Sequence, residues 1–255
     1  MYFYAFVNII HKRNDMQNPS GWKTQKSVAF VAAAIAFIVV ALAFSAPFIA
    51  SSFRQATLVT VVIDPGHGGI DGGVSGVKTG VKESALNLAL SKIVGEYLES
   101  AGFNVIYTRR NDDGLYSAFD KNKKRADMEA RARIINRASP AAVVSIHMNT
   151  YSSASRRGAQ VFFDASSEGG RLLAETVQDN LNREFNLPDT GREYAALKAE
   201  KYILQCTSAP AVIIECGFLS NPVDEANLCS PEYRAELAYS IFTAIAAFVS
   251  SRETV

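Results

Sequence analysis

Four side chains that can bind a metal or transfer a proton stand where apolar segments end or helical patterns begin: His67, Glu83, His147 and Glu215. The two histidines are the only ones beyond residue 55. A single histidine at a strand end is more often a packed core residue than a ligand, but two in equivalent positions favour a metal. Two imidazoles, one carboxylate and an open position for water form the ligand set of several catalytic zinc hydrolases. This pattern predicts metal-assisted hydrolysis.

Simpler explanations exist for several of these residues and their neighbours. Glu83 has the position of an acid that merely opposes the dipole at a helix start. The glycine-rich stretch 68–80 is not a phosphate-binding loop, because G-x-G-x-x-G is not completed at Asp71 and no G-K-[ST] follows. These glycines fit a backbone that passes close to a metal and a substrate. Cys216 should face away from Glu215, since neighbours on a strand alternate, and it is a poor candidate nucleophile.

Short apolar strands alternate with longer helical patterns in the region that carries these residues. Such alternation predicts an α/β fold, with a mainly parallel sheet flanked by helices, in a single domain. The predicted strands are 58–63, 104–108, 142–146, 159–163 and 211–215, and the predicted helices are 83–100, 125–138, 169–184 and 232–249. The fourth strand, 159–163, fits an antiparallel edge equally well.

The fold class predicts where the chemistry lies. In open α/β sheets a ligand sits beyond the carboxyl ends of the strands, and a helix that follows a parallel strand starts at that same edge. His67 and His147 follow predicted strands, Glu215 ends one, and Glu83 opens a helix. We therefore expect all four side chains at one edge of the sheet.

An apolar run near the amino end predicts export of the rest of the chain. Residues 28–44 carry no charge. The length of this run lies between that of a signal-peptide core and that of a membrane span, so both an uncleaved anchor and a cleaved signal peptide remain open. Four cations precede the run and only Arg54 follows it closely, which predicts a cytoplasmic amino end. Translation from Met16 instead of Met1 would shorten the leader.

The resulting organisation has four parts. We expect a cytoplasmic segment at 1–27, a transmembrane anchor or signal peptide at 28–50, a linker at 51–57 and a catalytic domain at 58–250. The catalytic domain should act outside the cytoplasm, tethered to the membrane or secreted.

Charge and cysteine content restrict the partners. The chain has 255 residues and a formal net charge of +1, but most of its excess cations lie before residue 55, so the remainder is slightly acidic and nucleic acid is not an expected partner. Three cysteines, Cys206, Cys216 and Cys229, form no C-x-x-C pattern. A disulfide involving Cys206 or Cys229 and a set of buried thiols both remain open.

Four sequence motifs together resemble a known family, the zinc-dependent N-acetylmuramoyl-L-alanine amidases of the Amidase_3 type. The resemblance runs from about residue 59 to 248 and includes VIDPGHGG, KESALNLAL, SIHMNT and IIECGFLSNP. It implies zinc ligands at His67, Glu83 and His147, with Glu215 as the catalytic acid and base. It also implies a roughly six-stranded mixed, mainly parallel sheet.

The resemblance implies a substrate and a biological setting. The substrate would be peptidoglycan, cut between N-acetylmuramic acid and L-alanine, and the chain looks most like the germination-specific amidases of the spore cortex. Whether an activating protein partner is needed stays open.

Residues beside the proposed ligands have predicted supporting roles. Asp64 could orient a ligand histidine, because metal-bound imidazoles usually donate their other N–H to a carboxylate or carbonyl. Pro65 and Asn149 flank ligands, and Arg109 ends the second predicted strand. These three could shape the pocket, and Arg109 and Asn149 are the candidate substrate-binding residues.

Two other functions compete with the amidase. A zinc carboxypeptidase that trims stem peptides uses similar ligands, but its usual H-x-x-E pair is absent because His67 and Glu83 are sixteen positions apart. A non-catalytic wall-binding protein on the same fold need not retain all four chemical residues, and this chain does.

Overall fold

The computed structural model describes residues 58–253 and, before them, Ile35 alone. The predicted segments 1–27, 28–50 (apart from Ile35) and 51–57 lie outside the described residues, as does the choice between Met1 and Met16. None of the helices in the described part of the chain combines the length and apolar character that crossing a membrane requires.

Six strands and seven α-helices follow one another in the described residues. In chain order they are β1 Thr60–Pro65, α1 Glu83–Ser100, β2 Asn104–Tyr107, α2 Lys123–Ala138, β3 Ala142–Asn149, β4 Gln160–Phe163, α3 Glu168–Leu181, α4 Leu187–Thr190, β5 Leu197–Lys198, α5 Tyr202–Gln205, β6 Ala211–Phe218, α6 Pro222–Cys229 and α7 Pro231–Glu253. A five-residue π-helix, Asn182–Asn186, joins α3 to α4.

The strands form one mixed, mainly parallel sheet in the order β2-β1-β3-β6-β4-β5. All neighbouring pairs are parallel except β4 and β6. The ten residues 150–159 lead from β3 to β4 without a helix, and a parallel return would need a longer crossover. The fold class is therefore confirmed, and β4 takes the antiparallel alternative.

The sheet is buried on both faces, which explains its continuous apolar strands. On one face, the larger core packs β-strand residues against α1, α3 and α7. On the other face, a smaller cluster includes Val62, Val143 and Ile213 together with Ile135 of α2 and Ile203 of α5. Adjacent residues of a strand, such as Val61 and Val62, thus enter different cores.

The observed elements differ from the predicted ones mainly at their ends. The strands β3 and β6 continue three residues past their predicted ends, to Asn149 and Phe218, so His147 and Glu215 lie inside strands. The helix predicted at 169–184 ends at Leu181 and passes into the π-helix. The two-residue strand β5 was not predicted.

Candidate metal centre

Three of the four predicted chemical residues come close enough together that one metal ion could bind all three. His67 lies in the loop after β1, Glu83 is the first residue of α1, and His147 lies in β3. One ligand atom from each lies within 4.8 Å of the other two. The Glu83 Oε1 atom is 3.2 Å from His67 Nε2 and 2.9 Å from His147 Nδ1. Two imidazole nitrogens and a carboxylate oxygen match the donor set of catalytic zinc sites.

Glu83 is buried and turned into this cluster. Its Oε2 accepts a hydrogen bond from Val74 N at 2.9 Å, and its Oε1 accepts one from Met148 N at 3.2 Å. Burial raises the pKa of Glu83, but hydrogen bonds and charge interactions with His147 and His67 outweigh it and hold this pKa well below its ordinary value. A helix-dipole role alone does not explain a side chain that contacts both histidines.

His67 is held by its backbone and by a second carboxylate. It has a left-handed φ of 59°, which is uncommon for a residue other than glycine. Its Nδ1 lies 3.0 Å from Asp71 Oδ1, which leaves Nε2 for the cluster. Burial lowers the pKa of His67, but Glu83 and Asp71 outweigh it and raise this pKa. Protons therefore compete with a metal for His67.

Asp71, and not Asp64, is the carboxylate that lies beside a ligand histidine. Asp64 is buried and accepts hydrogen bonds from Ser145 Oγ at 2.6 Å, Arg131 Nη1 at 2.6 Å and Thr108 Oγ1 at 2.5 Å. Burial raises the pKa of Asp64, but the Arg131 charge and these hydrogen bonds lower it below its usual value. The prediction that Asp64 orients a histidine is wrong, since its oxygens bind other groups.

Arg109 supports the backbone beneath the histidines. Its side chain is 0% exposed, and it donates from Nε to Pro65 O at 2.9 Å and from Nη2 to Gly66 O and Ser84 O at 2.9 and 2.8 Å. Burial lowers the pKa of Arg109, as does the neighbouring Arg131 charge. These contacts argue against the predicted binding of substrate by Arg109. They indicate a structural role for Arg109 and for Pro65, whose carbonyl it binds.

Asn149 is a half-buried residue at the carboxyl end of β3. Its Oδ1 accepts a hydrogen bond from Thr150 N at 2.8 Å, and its carbonyl accepts one from Leu219 N at 2.9 Å. The second contact joins the end of β3 to the residue that follows β6. Substrate binding by Asn149 stays a prediction.

Glu215 lies beside the three converging residues on the adjacent strand. Its Cα pairs with that of His147 in the β3–β6 register. Its Oε2 is buried and has no hydrogen-bond partner among the described residues. Burial raises the pKa of Glu215, opposed by the charge of His147. A buried oxygen without a partner costs about 1–3 kcal/mol, and a catalytic role is one explanation for such an atom.

Two glycines make room for the site. A Cβ atom at Gly66 would lie 2.2 Å from His147 Nε2, and one at Gly73 would lie 2.3 Å from Glu83 Oε2. Gly73 also has a left-handed φ of 65°. The structure thus supports the interpretation that glycines here let the backbone approach the metal-binding side chains.

The cysteines take no part in the cluster. Cys216 is buried in the larger core, and burial raises the pKa of its thiol well above the ordinary value. Cys206, Cys216 and Cys229 are all free, so the disulfide alternative is not found.

Comparisons with known proteins relate this site to a family. The chain matches the family model Amidase_3, described as N-acetylmuramoyl-L-alanine amidase, over residues 61–247. It is 32% identical over 195 residues to the germination-specific N-acetylmuramoyl-L-alanine amidase of Bacillus subtilis (strain 168), which covers 75% of this chain and 80% of that protein.

Two solved structures share the fold of the described residues. The CwlD amidase of Clostridioides difficile, in complex with the GerS lipoprotein, has a TM-score of 0.70 and 31% identity, covering 76% of this chain and 99% of that one. N-acetylmuramoyl-L-alanine amidase AmiC2 of Nostoc punctiforme has a TM-score of 0.65 and 30% identity, covering 75% and 97%.

Proposed function

Since the chain belongs to the Amidase_3 family of N-acetylmuramoyl-L-alanine amidases, we propose that it hydrolyses the amide bond between N-acetylmuramic acid and L-alanine in peptidoglycan. One observation carries the proposal: His67, Glu83 and His147 converge on one point, with Glu215 on the adjoining strand. Metal ligands beside a separate carboxylate with one buried oxygen suit the hydrolysis of an unactivated amide.

Zinc is the cofactor we propose, held by His67 Nε2, Glu83 Oε1 and His147 Nδ1. The donor set, the close approach of Gly66 and the carboxylate of Asp71 behind His67 support this assignment. When bound, zinc supplies a Lewis acid that polarises the amide carbonyl and makes a water acidic near neutral pH.

Glu215 is the proposed proton carrier of the reaction. It accepts a proton from the attacking water as the water oxygen bonds to the carbonyl carbon, and it donates a proton to the L-alanine nitrogen as the C–N bond breaks. The products are a free lactyl carboxylate and a stem peptide with a free amine. Its unpartnered Oε2 and its raised pKa both suit this exchange.

The residues around the ligands position them rather than react. Asp71 holds the ring of His67, and Arg109 and Arg131 hold the carbonyls of the loop that carries it. Arg131 donates from Nη2 to His67 O at 2.6 Å, which fixes the left-handed backbone.

The proposed setting is outside the cytoplasm, where peptidoglycan lies. The 32% identity to a germination-specific amidase supports a role in the spore cortex, and the CwlD structure, which contains GerS, supports a protein partner for this chain also. A transmembrane anchor or a signal peptide at 28–50 remains part of the proposal. A reporter that is active only in the cytoplasm, fused after Val255, should give no signal, and a signal would contradict the orientation.

Mass spectrometry of peptidoglycan digested by the purified protein tests the bond that is cut. We expect new free lactyl groups on muramic acid, matched by stem peptides with a free L-alanine amine. Release of terminal amino acids alone would favour the carboxypeptidase. Binding to peptidoglycan without any product would favour the non-catalytic protein.

A further inference from the structure

A buried carboxylate outside the metal centre, Glu225 of α6, binds the segment that leads into Glu83. The residue is 1% exposed. Its Oε1 accepts hydrogen bonds from Thr79 N and Thr79 Oγ1, both at 2.7 Å, and its Oε2 accepts one from Lys78 N at 2.8 Å. Hydrogen bonds to an ionised acceptor are about twice as strong as neutral ones, so these contacts hold the segment firmly.

The segment in question is a strap, residues 72–82, that starts and ends beside the first turn of α1. This helix has no side-chain cap at Lys82. The carbonyls of the strap take that place: Val74 O accepts from Glu83 N at 2.9 Å, and Gly72 O accepts from Ser84 N at 3.1 Å. Because Val74 N also donates to Glu83 Oε2, the strap orients the carboxylate as well as the backbone of Glu83.

The tip of the strap fits tightly against Glu225 and the end of β6. A Cβ atom at Gly76 would lie 2.2 Å from Glu225 Oε1. Within the strap, Gly76 N donates to Val81 O at 2.9 Å. Val77 N donates out of the strap to Leu219 O, just beyond β6, at 3.1 Å. Displacement of Glu225 would therefore be transmitted along the strap towards its base at Val74.

The neighbouring acid, Asp224, has a comparable environment but different contacts. It is 6% exposed and accepts hydrogen bonds from Arg157 Nε at 3.0 Å, Gly158 N at 2.9 Å and Phe218 N at 3.0 Å. None of these partners belongs to the strap. The same helix thus carries one buried acid that holds the strap and one that holds the loop before β4.

We propose that Glu225 is a positioning residue for the metal: by holding the strap, it sets the orientation of the Glu83 carboxylate and thereby the affinity of the site for zinc. The inference rests on the proposed function. Glu225 lies on the helix that follows β6, the strand of Glu215, and binds the segment that precedes Glu83.

Matched substitutions in the full chain test this role. Glu225→Gln removes the negative charge and replaces one of the two acceptor oxygens with an NH2 group, which cannot accept a hydrogen bond from Lys78 or Thr79. We expect zinc affinity, measured by competition with a chromogenic chelator, to fall roughly tenfold, as for other residues that support ligands. Asp224→Asn, which also removes a buried charge from α6, should lower the urea midpoint of unfolding similarly and leave zinc affinity nearly unchanged.

A milder variant covers the case in which Glu225→Gln does not fold. Thr79→Val removes one donor to Glu225 and leaves the backbone donors, so zinc affinity should fall in the same direction by a smaller factor. Equal losses of affinity in the Glu225 and Asp224 variants, or unchanged affinity in Glu225→Gln and Thr79→Val, would overturn the inference alone. Wild-type protein that binds no zinc would overturn the proposed function and this inference with it.

Discussion

The start of α1 and the end of β6 each bring one glutamate to the same edge of the sheet, in opposite surroundings. Glu83 has partners for both oxygens, and its two histidine neighbours keep its pKa low. Glu215 has a buried oxygen without a partner, and burial raises its pKa. Environment assigns different chemistry to identical side chains: Glu83 is suited to stay ionised and hold a cation, and Glu215 is suited to exchange a proton.

The largest expected effect comes from the metal side of this comparison. His147→Ala removes one of three proposed ligands, so the protein should lose bound zinc and hydrolysis together. Because three ligands form one site, elemental analysis of protein purified without chelator should give about one zinc per wild-type chain. The variant should contain far less. Full activity of metal-free wild-type protein would contradict the mechanism.

Glu215→Gln tests the proton-transfer role that the comparison assigns to Glu215. It keeps the volume of the side chain and leaves the three proposed ligands intact, so zinc content should stay at the wild-type level while kcat falls by about 10² to 10⁴. Affinity for peptidoglycan fragments should change little. Loss of zinc would exchange the roles of the two glutamates, and retention of most activity with zinc bound would remove Glu215 from the reaction.

A smaller effect is expected behind His67. Asp71→Ala removes the carboxylate that faces Nδ1, so zinc affinity should fall by roughly 10- to 100-fold, the range typical of such partners. Asp179→Ala, which removes an exposed acid of α3 outside the metal centre, is the control and should bind zinc normally. Equal behaviour of the two variants would mean that Asp71 does not orient the ring.

The least effect should follow substitution of Cys216, the immediate neighbour of Glu215. Its thiol is packed in the core and its pKa is raised by burial, so Cys216→Ala should lower stability slightly and leave the rate of hydrolysis near that of the wild type. A large loss of kcat in a folded variant would point to nucleophilic catalysis and weaken the division of roles between Glu83 and Glu215.

The sequence predicted the meeting of the four chemical residues because topology determines it. Parallel strands end at one edge and their helices begin there, so residues far apart in the chain come together. However, the polar side chains of His147 and Glu215 interrupt the apolar pattern. The predicted strands therefore lack the last three residues of β3 and β6. The strand β5 has two residues and carries too little pattern to be predicted.

The pattern of apolar and polar residues does not predict contacts that depend on local backbone conformation. Asp71 lies against His67, whose backbone is left-handed, and sequence periodicity does not predict such a conformation. Arg109 had the expected position at a strand end, but its burial depends on how the loop from β1 folds over it. Glu225 is 147 and 146 positions from Lys78 and Thr79, the strap residues it binds, a distance at which only the tertiary structure reveals a partner.

The polar helix α2 has a consequence for local stability. Only Arg131, Ala132 and Ile135 are buried along its length, whereas α1 buries nine residues. Its attachment depends strongly on Arg131, which donates to Asp64 Oδ1 and to His67 O, both at 2.6 Å. We expect its backbone amides to exchange with deuterium sooner than those of α1, through openings that cost less than global unfolding. Each opening would release the carbonyl of His67, so fluctuations of a helix that supplies no ligand would reach the metal site.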